Sequence, residues 1–194
     1  MNVGLLERAM VGPGGPGRGL PPEAVELLVA VGAPARLGAH LRLVYDVAWE
    51  LTGWLVGAHP GLVFDREAVL FGAATHDIGK VVHREELSVP GVRHEAAGRR
   101  LLVQRGVPER LARFAGTHGS WTAEGVGVED LLVSVADKVW KAKRVEDLEQ
   151  LLTERIAVAS GVAVWEAFVS LDDCLQGLAA GADVRLAFQN AFAV

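Results

Sequence analysis

Apolar residues recur at three- and four-residue steps through Leu37, Leu41, Val44, Ala48, Leu51 and Leu55. That spacing predicts a long amphipathic helix from Pro34 to about Val56. Ahead of it, Pro21 and Pro22 suit the first turn of a helix running through Ala30. After a loop from Ala58 to Phe64, Asp65 is placed as the N-cap of a helix from Arg66 to about Ile78. Val89-Pro90-Gly91 marks a turn, and a helix from about Arg93 to Arg105 follows, with Gly106 as its stop. Pro108 opens another that ends near Gly116 to Gly119, and Glu129 to Lys143 forms the next. From Glu146 onward two or three more helices are expected, broken at Gly181. The stretch Ile156 to Val169 is apolar apart from Glu166 and reads as a buried helix. No segment alternates strictly between apolar and polar residues, so an all-α fold is expected.

The Gly/Pro-rich run from Val11 to Pro22 cannot hold a helix and is expected to be a flexible lead-in over residues 1–22. With 194 residues, the chain fits one domain, here placed at 23–145, with the helices of 146–194 packed on it. Hydrophobic residues make up 51% of the sequence, enough for a sizeable core. Neither a secretory signal nor an uncharged run of about 18 apolar residues is found, so a cytoplasmic chain without a membrane partner is expected. The net charge is -5 and no face is rich in Lys and Arg, so no stable nucleic-acid partner is expected. Cys174 is the only cysteine. That excludes an internal disulfide and any cysteine-based zinc site, leaving His and carboxylates to hold a metal.

The candidate chemistry centres on His76-Asp77, in the run Ala-Thr-His-Asp-Ile-Gly-Lys. Neighbouring side chains on a helix diverge by about 100°, but near a helix end both can converge on one ion. An imidazole with a carboxylate suits Zn, Fe, Mn, Co or Ni better than Ca. His40 lies upstream on the long helix. Asp137 lies downstream in Val-Ala-Asp-Lys-Val, among apolar residues that suggest burial, and a buried carboxylate needs a partner.

This order, H…HD…D, resembles the HD superfamily of metal-dependent phosphohydrolases, a family of helical bundles. The resemblance spans about His40 to Lys143. It implies an HD-domain bundle with additional C-terminal helices. It also implies a centre of one or two divalent transition ions (Mn, Fe, Co, Ni or Zn, with Mg possible) and a small phosphorylated substrate. His94, in Arg-His-Glu-Ala-Ala-Gly, and His118, in Gly-Thr-His-Gly-Ser, match the histidines of six-ligand members. One ion would then take His40, His76, Asp77 and Asp137, and the other Asp77, His94 and His118.

Asp77 and Lys80 are the expected catalytic residues, and Lys80, His118 and Lys138 the expected substrate contacts. Glu95 is a candidate partner for a ligand histidine, and Trp121 a candidate for the pocket wall. Gly79 is read as room to aim Lys80, and Gly98 as an allowance for close helix packing. His59 and His83 match no ligand position and read as surface residues. Trp49, Trp54, Trp140 and Trp165 read as core. The leading activity is hydrolysis of a phosphoester or phosphoanhydride. Some HD-fold proteins use the same six ligands in a di-iron oxygenase, and others are non-enzymatic nucleotide binders.

Overall fold

The computed structural model describes residues 3–193. Eleven α-helices and two 3-10 turns follow one another, and no strand occurs among the described residues. The helices are α1 Val3–Val11, α2 Pro22–Ala30, α3 Ala35–Ala58, α4 Arg66–Thr75, α5 Arg93–Gln104, α6 Glu109–Ala112, α7 Phe114–Thr117, α8 Val128–Val139, α9 Glu146–Ser160, α10 Val164–Ala179 and α11 Ala182–Asn190. The 3-10 turns are Ile78–Val81 and Arg84–Leu87.

Helix α3 is the axis of the bundle. All six residues of its predicted stripe are buried, and so are Ala39, Leu43 and Val47 on the other sides. It is covered by α1, α4, α8, α10 and α11. A helix apolar on all sides belongs in the middle of a core rather than at its rim. Asp65 caps α4 as expected, its carboxylate accepting the Ala68 amide at 3.0 Å.

The expected N-terminal lead-in holds more structure than its glycines suggest. Residues 3–11 form α1, which buries Leu6, Ala9 and Met10. The Gly/Pro run after it is non-helical but tied down. The buried Arg42 guanidinium donates to the carbonyls of Gly12, Gly15, Gly17 and Arg18 at 3.0–3.3 Å. One planar donor fork thus satisfies backbone oxygens that a turn leaves unpaired.

The segment Ile156–Val169 departs from expectation. It is not one buried helix, because Gly161, left-handed at φ 65°, ends α9 and the chain reverses into α10. Ile156, Ala157 and Ala167 are buried, whereas Val158 and Trp165 are 85% and 67% exposed. Trp165 is therefore a surface residue. Trp140 is buried, and Trp49 and Trp54 pack half-buried against the core.

His59 is also not a surface residue. It is buried at the C-terminus of α3, with Nδ1 3.1 Å from the Ser160 hydroxyl and Nε2 3.1 Å from that of Ser170. It joins α3 to the end of α9 and to α10, and burial lowers its pKa. His83 is half-buried, 3.6 Å from Glu85.

Helix α8 stops four residues short of expectation. The Lys143 amide reaches back to the Lys138 carbonyl at 3.1 Å and the Ala142 amide to Val139 at 2.9 Å. This pair of reverse bonds needs a left-handed residue between them, and Ala142 supplies it at φ 58°. An L-residue there carries strain of about 1–2 kcal/mol that glycine avoids. Ala142→Gly is therefore expected to stabilise the chain by about 0.5–1 kcal/mol after the loss of unfolded-state restriction. A denaturant midpoint that stays put or falls would contradict this.

A buried histidine and carboxylate centre

Five segments each bring a polar side chain to one end of the bundle. His40 comes from α3, His76 and Asp77 from the C-terminal end of α4, His94 from the first turn of α5, His118 from the end of α7, and Asp137 from the last turns of α8. All six are buried, between 0% and 8% exposed. Helix α4 ends at Thr75, so the His-Asp pair lies where the chain changes from α-helix to 3-10 turn. The tighter turn lets both side chains face the same way.

The carboxylate of Asp77 is shared. Its Oδ2 lies 3.1 Å from His40 Nε2 and 2.5 Å from Lys80 Nζ. Its Oδ1 lies 3.0 Å from His94 Nε2 and 3.5 Å from His118 Nε2. Asp137 Oδ1 is 3.5 Å from His40 Nε2 and 3.4 Å from His76 Nε2, and its Oδ2 accepts from Lys138 at 2.7 Å. Donor atoms thus gather as His40, His76 and Asp137 on one side and as His76, Asp77 and His118 in the middle. A third group combines His94 and His118 with Glu95.

The tautomers decide what this centre can hold. A backbone carbonyl only accepts, so a ring nitrogen bonded to one carries the proton. His76 Nδ1 donates to the Ala73 carbonyl at 3.0 Å, and His118 Nδ1 to that of Phe114 at 3.3 Å. His94 Nδ1 donates to the Glu86 carboxylate at 2.5 Å. The neutral rings therefore aim bare Nε2 lone pairs inward. His94 Nε2 and His118 Nε2 face each other at 3.3 Å, as do His40 Nε2 and His76 Nε2. Lone pairs and carboxylates crowded together out of water need a cation between them. The residues present fit one or two divalent ions of the nitrogen- and oxygen-binding kind.

Without a cation, protons fill part of this role. Burial alone would raise the Asp77 carboxyl, but His76 and the bonds from His118, His40 and His94 hold it well below the usual carboxylate range. Asp137 is lowered likewise against burial, by His40, His76 and Lys138. Burial disfavours charge on His40 and His94, yet the facing carboxylates outweigh it and raise both pKa values. In His76 burial wins, and its pKa is lowered.

Glu86 escaped the sequence reading. It is buried, and besides His94 Nδ1 it accepts the backbone amides of Arg93 and His94, each at 3.1 Å. Burial alone would raise its carboxyl, but these bonds hold it below the ordinary glutamate range. The partner expected at Glu95 is thus Glu86, while Glu95 stands half-buried within ligand reach of His94 and His118. Carboxylates behind a ligand histidine fix its ring and strengthen its donor, and removing one weakens metal binding roughly 10–100-fold. Glu86→Gln is expected to lower metal affinity by about that factor, read by competition with a chromogenic chelator. Unchanged affinity would contradict the role.

The centre opens into a cavity of about 540 Å³ whose wall includes Lys80, Trp121, Lys138, Lys141 and Lys143. Trp121 is half-buried there, with the Lys138 ammonium 5.7 Å from its ring centre. Fold and site together define a helical-bundle protein with a buried His/Asp centre for a divalent cation. The family model described as HD domain matches residues 37–140, more than half of the chain, and the chain belongs to that family, whose members are generally metal-dependent hydrolases. No match was found among curated proteins or among solved structures. Among the described residues, no helix is long and apolar enough to cross a membrane.

Proposed function

We propose that this chain is a cytoplasmic metal-dependent phosphohydrolase acting on a nucleotide or another small phosphate ester. The observation that carries the reading is the open side of the centre, where ammonium groups line the way to buried imidazoles and carboxylates. Such a site attracts an anion and places it against a cation.

His40, His76, Asp77 and Asp137 would hold one ion, and His94 and His118 a second that shares Asp77. A bound divalent ion supplies Lewis acidity toward a phosphoryl oxygen and makes a water acidic enough to act as nucleophile near neutral pH. The protein's own groups do the rest. The shared carboxylate of Asp77 fixes the spacing of the histidines on its two sides. Lys80, 2.5 Å from Asp77 Oδ2, turns its ammonium to an equatorial phosphoryl oxygen and offsets charge that builds up there in transfer. His118 and Lys138 border the same space. The half-buried Trp121 offers a flat face to a base or other planar group.

The test is an assay of purified chain with Mn, Mg, Co, Ni and Fe against a panel of phosphate esters, in air and under argon. Phosphate release under argon is expected. Substrate consumed only in air by iron-containing protein would replace this reading with the oxygenase one.

A further inference from the structure

Three of the four histidines of the centre have their rings fixed from behind. His76 and His118 donate from Nδ1 to backbone carbonyls, and His94 donates to Glu86. His40 has no such partner. Among the described residues its polar contacts all run through Nε2, toward His76, Asp77 and Asp137. No hydrogen bond on the far side of the ring sets its plane. Besides His76, the ring that touches it is Trp140, whose indole meets the imidazole edge to face with centres 5.0 Å and planes 69° apart.

Trp140 is 3% exposed and does not border the cavity into which the centre opens. It reaches that space only through His40. Its Nε1 is a buried donor without an acceptor. An apolar side chain would fill the core without the cost of that unpaired group, so the flat indole rather than its N–H accounts for the residue. Edge-to-face pairs favour one ring angle over others. The backbone of Trp140 is held separately. Its carbonyl, at the end of α8, accepts from Arg185 Nε at 2.6 Å, and Arg185 Nη2 donates to the Leu178 carbonyl at 2.6 Å. Arg185 lies half-buried on α11, which also packs on α3, the helix that carries His40. It thus ties the end of α8 to α10 and α11. The stretch matched by the HD domain model ends at Trp140, so Arg185 belongs to the C-terminal helices outside it.

We propose that Trp140 and Arg185 are positioning residues for the centre. Arg185 fixes the end of α8, and the Trp140 ring held there sets the angle at which His40 presents Nε2 to a cation. Groups behind a ligand histidine usually orient it by a hydrogen bond; at His40 ring packing does so instead. The C-terminal helices thereby act on the centre without touching it. The inference rests on the centre being a cation site and not on the phosphohydrolase reading.

The test loads the full chain with Co²⁺ and compares wild type with Trp140→Leu, Trp140→Phe and Arg185→Met. Three quantities are read: the visible absorption bands of the bound ion, its affinity by competition with a chromogenic chelator, and the melting temperature. Trp140→Leu is expected to shift the bands and to weaken binding about three- to tenfold. Arg185→Met should change both in the same direction, and Trp140→Phe, which keeps an aromatic ring, should restore most of each. A merely structural role would lower melting and leave the bands where they are. If Trp140→Leu does not fold, Arg185→Met decides, since it leaves the ring itself in place. Wild-type bands and affinity in the folded leucine and methionine variants overturn the inference alone. A wild type that takes up no Co²⁺ overturns the cation site and the inference with it.

Discussion

Asp77→Ala is expected to remove bound metal and to lower activity by roughly 10³-fold or more, since a shared ligand matters more than the outer-shell groups whose loss costs about 10–100-fold. No other carboxylate of the centre faces both sides. Oδ2 serves His40 and Lys80, while Oδ1 serves His94 and His118. Removing it leaves four histidines with only Asp137 at one flank and Glu95 at the other. Helix content should survive, because Asp77 follows α4 rather than lying within it, and the apolar core around α3 does not depend on its charge. Circular dichroism beside elemental analysis separates the two effects. A variant that keeps its metal would refute the assignment, and one that loses its helices would show a structural role instead.

Gly79→Ala is expected to have the next largest effect, on stability and on the centre together. A Cβ at Gly79 would lie 2.5 Å from the Gly98 amide nitrogen and would also strike the His94 carbonyl. Both are backbone atoms of α5 and cannot swing aside. The 3-10 turn Ile78–Val81 and α5 would have to separate, which overpacking data put at about 1–3 kcal/mol. For a chain of this size that is a fall in melting temperature of roughly 2–12 °C. The same movement carries His94 away from Asp77, so cation affinity should fall with stability. Gly98→Ala should be milder, because its nearest approaches are 3.0 Å to the Gly79 amide and 3.1 Å to the Ala115 methyl. Unchanged melting and unchanged metal binding in Gly79→Ala would contradict this account of the glycine.

The six residues that meet at the centre were legible because their order resembles the ligand order of the HD superfamily, and the α3 stripe because burial on a helix has a fixed period. Gly79 was noticed but its reason was not. The sequence offers a neighbouring Lys80 to explain it, whereas the constraint comes from α5, 15 residues away at His94. Glu86 was invisible for a related reason. It sits in a 3-10 turn beside a second glutamate, without periodicity, and its task appears only when the chain returns through His94. His59 looked like a loop residue because Pro60 and Gly61 follow it, and both its partners are more than 100 positions away. The apolar run after Ile156 misled because composition measures burial only where a helix continues, and Gly161 ends this one.

The central claim is that inward-facing imidazole nitrogens and two carboxylates are arranged for a cation. Elemental analysis of the wild-type chain, purified without chelators and then offered Mn, Fe, Co, Ni and Zn, tests it most directly. One or two tightly held ions per chain, removed by EDTA and restored on readdition, are predicted. A chain that holds none of these metals at any stage would contradict the account.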